Sequence, residues 1–101
     1  MKFVDVTTGL DVPGGSALVN MVGCTPGQFS WSALPSPISL APGGTYYLVS
    51  EESIGGDLWY EKGPVTTQSF ASIISAVYQQ DNGLWHRIAP PNYAYVPPNF
   101  K

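Results

Sequence analysis

Residues 43 to 61 read GGTYYLVSEESIGGDLWYE, which combines two strand-forming runs with a turn. The segment TYYLVSE (45 to 51) is rich in residues that favour strands, as is LWYEK (58 to 62), and the Gly-Gly pair between them is typical of a turn. Two strand-forming runs joined by such a turn pair most simply as an antiparallel hairpin. The stretch therefore predicts β-structure at the centre of the chain.

The same pattern continues outward in both directions. The 11 Gly and 10 Pro fall between short apolar runs, and almost no stretch repeats with the period of a helix. About seven or eight short strands, with turn signals every 8 to 12 residues, predict an all-β fold: an antiparallel β-sandwich of the jelly-roll kind. Beyond the central pair, strands are predicted at KFVDV (2 to 6), SALVNMV (16 to 22), QFSWSAL (28 to 34), ISL (38 to 40), SFASIISAVYQQ (69 to 80), LWHRI (84 to 88) and, as an edge strand, NYAYVPPNFK (92 to 101).

Glycine and proline locate the turns between these strands. Pro-Gly and Asn-Gly dipeptides favour particular turn geometries because Pro presets one backbone angle and Gly accepts a positive φ. The DNG sequence (81 to 83) is a hairpin signal that joins the segments on its two sides. The other predicted turns are Thr8-Gly9, TPGQ (25 to 28) and APGG (41 to 44), and DVPGG (11 to 15) is expected to interrupt the chain before the next strand.

Two of the predicted strands need an argument of their own. In residues 28 to 34, Phe29 and Trp31 alternate with serines, so we expect their shared face to be buried. The Ala and Ser content of residues 69 to 80 also permits a helix. The Ile and Val residues there, and the hairpin signal that follows, favour a strand instead.

Length, charge and cysteine content restrict the class of protein. With 101 residues the chain is predicted to form a single domain, residues 1 to 101. Its four Lys and Arg are scattered against seven Asp and Glu, which argues against nucleic acid as a partner. One cysteine excludes an intrachain disulfide. Apolar runs of only a few residues argue against a membrane partner, and the sequence contains no signal-peptide pattern.

Residues 4 to 61, together with PPNFK (97 to 101), carry a resemblance. The chain resembles a β-sandwich module of modular secreted bacterial proteins, which often lies beside glycoside-active or surface-attached domains. The matching pattern is a VD-x-x-TG turn, a GQF-aromatic strand, a P-I-x-L-x-PGG-TYYLVS-E-E strand pair and GGD-x-WY. The resemblance implies a secreted, non-catalytic accessory module with a carbohydrate-binding-like fold.

The chain departs from this family pattern at its start. In such modules we expect further strands ahead of KFVDV (2 to 6), and here Met1 stands directly before it. A sandwich that lacks strands exposes backbone edges and part of an apolar face, which favours pairing with another copy. We therefore expect a homo-oligomer, most simply a twofold dimer in which two partial sandwiches complete each other.

Aromatic residues with neighbouring acids are the candidates for ligand binding. Trp59 lies between Asp57 and Glu61 on its strand, and an outward indole with carboxylates beside it can stack on a sugar ring while the acids accept hydrogen bonds from hydroxyls. Most aromatics in small β domains pack in the core or at an edge, so core packing is the competing interpretation. The predicted ligand-binding residues are Trp59, Trp85, Asp57, Glu61, Tyr93 and Tyr95.

Enzymatic readings have less support in the sequence. Sugar hydrolysis needs two facing carboxylates, which Glu51, Asp57 and Glu61 could provide around one hairpin, although acids at hairpin ends are usually solvated. His86 is the side chain best suited to proton exchange near neutral pH, and Cys24 could act as a nucleophile if His86 reached it. These groups define an alternative hypothesis, a small hydrolase whose site forms where subunits meet.

Metal binding and self-assembly complete the alternatives. The acids Asp5, Asp11, Asp57 and Asp81 sit at predicted turns, but no calcium-loop motif occurs, so no metal and no cofactor is predicted. The favoured function is a carbohydrate-binding-like accessory module with a polysaccharide or oligosaccharide as ligand. A self-assembling structural fragment without a ligand is the other non-enzymatic hypothesis.

Overall fold

The computed structural model describes residues 1–25, 28, 30–51, 63–79, 83–88 and 91–94. This part of the chain contains strands and no helix, and every strand pairing in it is antiparallel. The prediction of an all-β fold is therefore confirmed. The strands are β1 (Lys2–Asp5), β2 (Asp11–Ser16), β3 (Tyr46–Val49), β4 (Gly63–Pro64), β5 (Val77–Gln79), β6 (Trp85–Arg87) and β7 (Tyr93–Ala94).

The chain divides into two compact units, Met1–Glu51 and Glu52–Lys101. The first contains a three-stranded sheet of order β2-β1-β3, and the second contains two two-stranded sheets, β4-β7 and β5-β6. The formation of one domain by both units, as predicted from the length of the chain, stays a prediction.

The central strand β1 holds the core of the first unit. Phe3 is 7% exposed and Val4 is 4% exposed, and because they are consecutive they point to opposite faces of the sheet. On the β3 side the register is regular, with Phe3 opposite Leu48 and Val4 opposite Tyr47. The sheet is thus covered on both faces at its centre.

The pairing of β1 with β2 is irregular. Lys2 lies opposite Ser16 and Val4 lies opposite Asp11. Between these two pairs, residues 12 to 15 of β2 are matched by the single residue Phe3 of β1. Gly14 has a φ of +73°, which Gly adopts without strain, and the proline of this segment is tolerated because β2 lies at an end of the described sheet. The DVPGG segment is a bulged strand, which corrects the prediction that it only interrupts the chain.

The turn before β3 follows the predicted chemistry. Gly44 N–H donates to the carbonyl of Ala41 at 2.9 Å, and Gly43 has a φ of +72°. Proline at the second position and a positive φ at the third are the features of a type II turn. The turn prediction for APGG is confirmed.

The second unit contains two short strand pairs, and backbone hydrogen bonds extend beyond each of them. The β5-β6 pair matches Val77 with Arg87, and its ladder extends through Ile88 N–H to the carbonyl of Ala76. Asn92, which has a φ of +64°, donates its N–H to the carbonyl of Ile73. Its own carbonyl accepts from Val65 N–H beside the β4-β7 pair, so Asn92 joins this pair to the segment that precedes β5.

Several predicted strands are wrong or much shorter than expected. After Ser16 the segment 17 to 22 is not a strand, the described residues of 28 to 34 are not a strand, and neither is 38 to 40. Within the described residues 69 to 79, Val77–Gln79 alone forms one. An alternating pattern specifies a strand only where a partner edge is available, and these segments have none among the described strands. The predicted strand 58 to 62 lies outside the described residues.

Side-chain exposure corrects a second prediction. Trp31, expected in the core, is 52% exposed, and its expected companion Phe29 is not among the described residues. Leu18 and Val22 are 88% and 89% exposed. The described part of the first unit therefore concentrates its burial on β1 and leaves residues 17 to 25 and 30 to 34 with large apolar side chains in contact with solvent.

Candidate functional site

An open groove lies on the first unit beside the turn between β1 and β2. Its volume is about 330 Å³, which is near the lower end of the range for small-molecule sites, roughly 300 to 1,000 Å³. Two acids, two hydroxyl side chains and a tyrosine supply its polar atoms. It is lined by Asp5, Thr8, Leu10, Asp11, Val12, Pro13, Ser39, Ala41 and Tyr46.

Asp5 organises the turn that forms one wall of the groove. Its Oδ1 accepts the N–H groups of Thr7 at 2.7 Å and Thr8 at 3.1 Å, and its carbonyl accepts Gly9 N–H at 2.8 Å. The Thr8 hydroxyl in turn accepts Leu10 N–H at 3.3 Å. Short-range bonds from an aspartate to the following backbone are a common way to hold a turn. They leave Asp5 Oδ2 outside the turn's hydrogen bonds.

Asp11 begins β2 and carries the ion pair of this region. The Nζ of Lys2 lies 2.8 Å from Asp11 Oδ1 and 3.0 Å from Oδ2. Both side chains are largely exposed, so the pair contributes little to stability. It does offset the charge of one of the two groove carboxylates.

The bulge in β2 brings a later segment against the groove. A Cβ placed on Gly15 would lie 3.0 Å from the carbonyl oxygen of Val12 and 3.3 Å from Cδ1 of Ile38, and one on Gly14 would lie 3.5 Å from Cγ2 of Ile38. The two glycines therefore make room for the Ile38 side chain. With Ile38 seated on the bulge, Ser39 lines the groove.

Tyr46 forms the opposite wall and is held from two sides. Its hydroxyl oxygen accepts Ala41 N–H at 2.9 Å. A Cβ on Gly44 would lie 2.7 Å from both the Cε2 and the hydroxyl oxygen of Tyr46, so only a glycine leaves space for the ring. In the β1-β3 register Tyr46 lies directly opposite Asp5, which places both side chains on the same face.

This arrangement combines an aromatic ring with convergent oxygen atoms. The Asp5 and Asp11 carboxylates accept hydrogen bonds, the hydroxyls of Thr8 and Ser39 donate or accept them, and apolar side chains complete the lining. A flat or puckered molecule with many hydroxyl groups and apolar C–H faces matches such a lining. The groove is therefore a candidate binding site.

Some ligand-binding residues predicted from the sequence lie in the second unit. Trp85 is half-buried on β6 and Tyr93 is half-buried on β7. These two strands belong to different sheets. The roles of these two residues stay predictions. Trp59, Asp57, Glu61 and Tyr95 lie outside the described residues.

The candidate catalytic residues occupy separate places. His86, on β6, stacks on Tyr78 with ring centroids 5.2 Å apart, and its buried Nε2 has no hydrogen-bond partner within the described part of the chain. Glu51 is exposed at the end of the first unit. The Sγ of Cys24 lies 2.7 Å from the Ser30 hydroxyl oxygen. These contacts supply no catalytic pair, and the hydrolase hypothesis stays a prediction.

The described residues contain no group of three or more His, Cys, Asp or Glu side chains placed to hold a metal ion. They also contain no helix of the length and hydropathy required to cross a bilayer.

Sequence reasoning missed Tyr46 as a site residue. A signal was present, because the APGG turn sets the backbone immediately before Tyr46 and the Asp5 turn is also readable from the sequence. From the sequence alone, Asp5 and Asp11 are identified only as acids at predicted turns. The sequence does not reveal that β1 pairs with β3. This pairing puts Asp5 opposite Tyr46, although the two residues are far apart in the chain.

No family model, curated protein or solved structure matches this chain. The resemblance to a secreted bacterial module is therefore carried by the residues quoted for it alone. Function must be argued from the groove itself.

Proposed function

We propose that this chain is a non-catalytic accessory module of a secreted bacterial protein, a β-sandwich of the jelly-roll kind that binds carbohydrate. The groove on the first unit is its binding site. Sequence resemblance motivates the setting, and the groove supplies the physical argument for binding.

The observation that carries the proposal is the pairing of Asp5 with Tyr46 across β1 and β3. Sugar recognition requires an aromatic surface for C–H groups and fixed acceptors for hydroxyls, and these two residues provide both on one face. Tyr46 is fixed by Ala41 and Gly44, and Asp5 is fixed by its turn. A site whose side chains are already held loses less entropy when a ligand binds.

Affinity electrophoresis in gels containing different polysaccharides tests this function. The unmodified chain should be retarded by at least one polysaccharide, and Tyr46→Ala should lose the retardation. Tyr47→Ala is the matched control, since it removes the same side chain from the same strand but from the opposite face. Circular dichroism of each variant shows whether the fold is kept.

The outcomes separate the two candidate locations. Loss of retardation in Tyr46→Ala alone supports the groove. Loss in Trp85→Ala alone would move the site to the second unit, where the sequence pattern places it. Migration unaffected by every polysaccharide would contradict carbohydrate binding.

Self-assembly is a second candidate function, and the exposed apolar side chains of the first unit favour it. Leu18, Met21 and Val22 are exposed within one short segment. The sheet order also leaves β2 and β3 as the outer strands of the described sheet. Exposed apolar clusters and open strand edges both favour association, and a second copy of this chain is the partner proposed.

Light scattering at several protein concentrations tests the assembly. We expect a dimer mass that falls to the monomer mass on dilution, and a weaker dimer for Leu18→Ser combined with Val22→Ser. A monomer mass across the whole concentration range would end this proposal.

A further inference from the structure

The ionisable side chains that line the groove are all acidic. Asp5 and Asp11 both line it, and no Lys, Arg or His is among its lining residues. Lys2, the one Lys or Arg in the sequence of residues 1 to 51, already pairs with Asp11 at 2.8 Å. The amino terminus donates to the carbonyl of Ala17 at 2.8 Å. Asp5 thus remains as the carboxylate whose charge no cation of the first unit offsets by direct contact.

Asp5 is placed to accept a hydrogen bond from a donor group of a ligand in the groove. Its Oδ1 accepts two backbone N–H groups of the turn, and its Oδ2 takes part in neither bond. Thr8, in the same turn, contributes a hydroxyl to the lining. Tyr46 lies opposite Asp5 in the β-sheet register. A ligand ring near Tyr46 would therefore place a substituent within reach of Asp5.

We propose that the groove selects a sugar carrying a protonated amine, with the ammonium group bound by Asp5 and the ring against Tyr46. This inference rests on the proposed carbohydrate-binding function and assigns its ligand class. A carboxylate prefers an ammonium donor to a hydroxyl because a charged pair forms the stronger hydrogen bond. Acidic sugars are disfavoured, since their carboxylates would be repelled by Asp5.

Isothermal titration calorimetry with the full chain compares four tetrasaccharides in mildly acidic, low-salt buffer, where the sugar amine is protonated. Three are β-1,4-linked and differ only in the group on carbon 2: glucosamine has an amine, N-acetylglucosamine an acetamide and glucose a hydroxyl. The fourth is a glucuronic acid tetrasaccharide. We expect glucosamine to bind about fivefold more tightly than glucose, the size of an exposed charge pair, and added salt to reduce that preference.

Two variants change the negative charge of the groove in opposite directions. Asp5→Asn keeps an oxygen that accepts the two turn N–H groups, so the wall should persist while the preference for the amine disappears. Lys2→Gln releases the Asp11 carboxylate from its ion pair and should increase the preference. Asp5→Asn should weaken the glucosamine tetrasaccharide more than the glucose one, since a neutral acceptor replaces the charged one. Lys2 is not among the lining residues, so Lys2→Gln should change binding of the glucose tetrasaccharide little.

The outcomes distinguish a failure of the amine assignment from a failure of carbohydrate binding itself. Equal binding of the glucosamine and glucose tetrasaccharides, or tighter binding of the glucuronic acid one, overturns the amine assignment and leaves carbohydrate binding intact. An amine preference that survives in Asp5→Asn overturns the role of Asp5. If none of the four binds, carbohydrate binding by this groove is contradicted and the ligand assignment goes with it.

Discussion

The two units differ in how their strands are supported. In the first, β1 has a partner on each side and buries Phe3 and Val4 on its two faces. In the second, the described strands form two separate pairs, and Ala76 is the one buried apolar residue within its described part. Isolated two-stranded pairs are marginally stable in water, whereas three strands with an apolar face can persist alone. The comparison predicts that the first unit is the stiffer one.

This difference bears on where a binding site can be precise. The groove residues Asp5 and Tyr46 belong to adjacent strands of the three-stranded sheet. Side chains held by a supported sheet keep their geometry better than those on short, weakly packed strands. Four substitutions test this contrast between the units.

The largest effect is expected from Phe3→Ala. Phe3 is 7% exposed in the core of the first unit, and truncating a buried aromatic costs about 3 kcal/mol through lost burial and the cavity left behind. Phe70→Ala is the control, since Phe70 is 84% exposed in the second unit and its loss should cost under about 0.5 kcal/mol. Urea unfolding measures both. Equal costs would contradict the proposed difference between the units.

A smaller loss, about 1 to 2 kcal/mol, is expected for Gly14→Ala. Its φ of +73° is unfavourable for any residue with a Cβ, and the added methyl would also approach Ile38. Gly83 in the second unit has a similar φ of +77°, but no atom lies within 4 Å of an added Cβ. The cost of Gly83→Ala therefore measures the effect of the positive φ alone. A cost for Gly14→Ala no greater than for Gly83→Ala would show that Ile38 adjusts freely.

For His86→Phe we expect a gain in stability of about 1 kcal/mol, confined to the second unit. The change keeps a ring against Tyr78 and removes the buried Nε2 that has no partner among the described residues. Hydrogen exchange at the amides of β5 and β6 should slow, while β1 amides should exchange as before. Faster exchange in β5 and β6 would mean that the imidazole makes a contact that Phe cannot replace.

The smallest effect is expected for Lys2→Gln. The Lys2–Asp11 pair is exposed, so its loss should cost roughly 0.5 kcal/mol at low salt and less at high salt. Thermal unfolding at two salt concentrations measures this. A large loss that salt leaves unchanged would indicate that the Lys2 stem is packed in the sheet rather than paired at its surface.

Sequence reasoning succeeded where short-range chemistry controls the backbone. The strand at residues 2 to 6, the strand 45 to 51 and the hairpin partners around DNG (81 to 83) all contain observed strands, and the APGG turn has the expected geometry. It failed at DVPGG (11 to 15), where Pro and Gly favour a turn in isolation. There the edge of β1 accepts the segment as a bulged strand, which local preference does not reveal.

The candidate site was only partly predictable for the same reason. Turn chemistry identifies Asp5 as a turn residue, and aromatic content draws attention to tryptophans such as Trp85 rather than to Tyr46. The partnership of Asp5 and Tyr46 depends on strand register, which links residues separated by most of the first unit. Register is determined by burial of the whole strand, not by either residue alone.

The all-β class, the antiparallel pairing near the hairpin signal and the turn that precedes Tyr46 follow from the amino-acid sequence, because each depends on the conformational preferences of neighbouring residues. Long-range packing selects which alternating segments become strands, places Ile38 on the glycines of β2, and sets Asp5 opposite Tyr46. The physical reason is that a strand and a groove are both completed by partners distant in the chain, whose pairing is selected by the free energy of burying Phe3 and Val4 together.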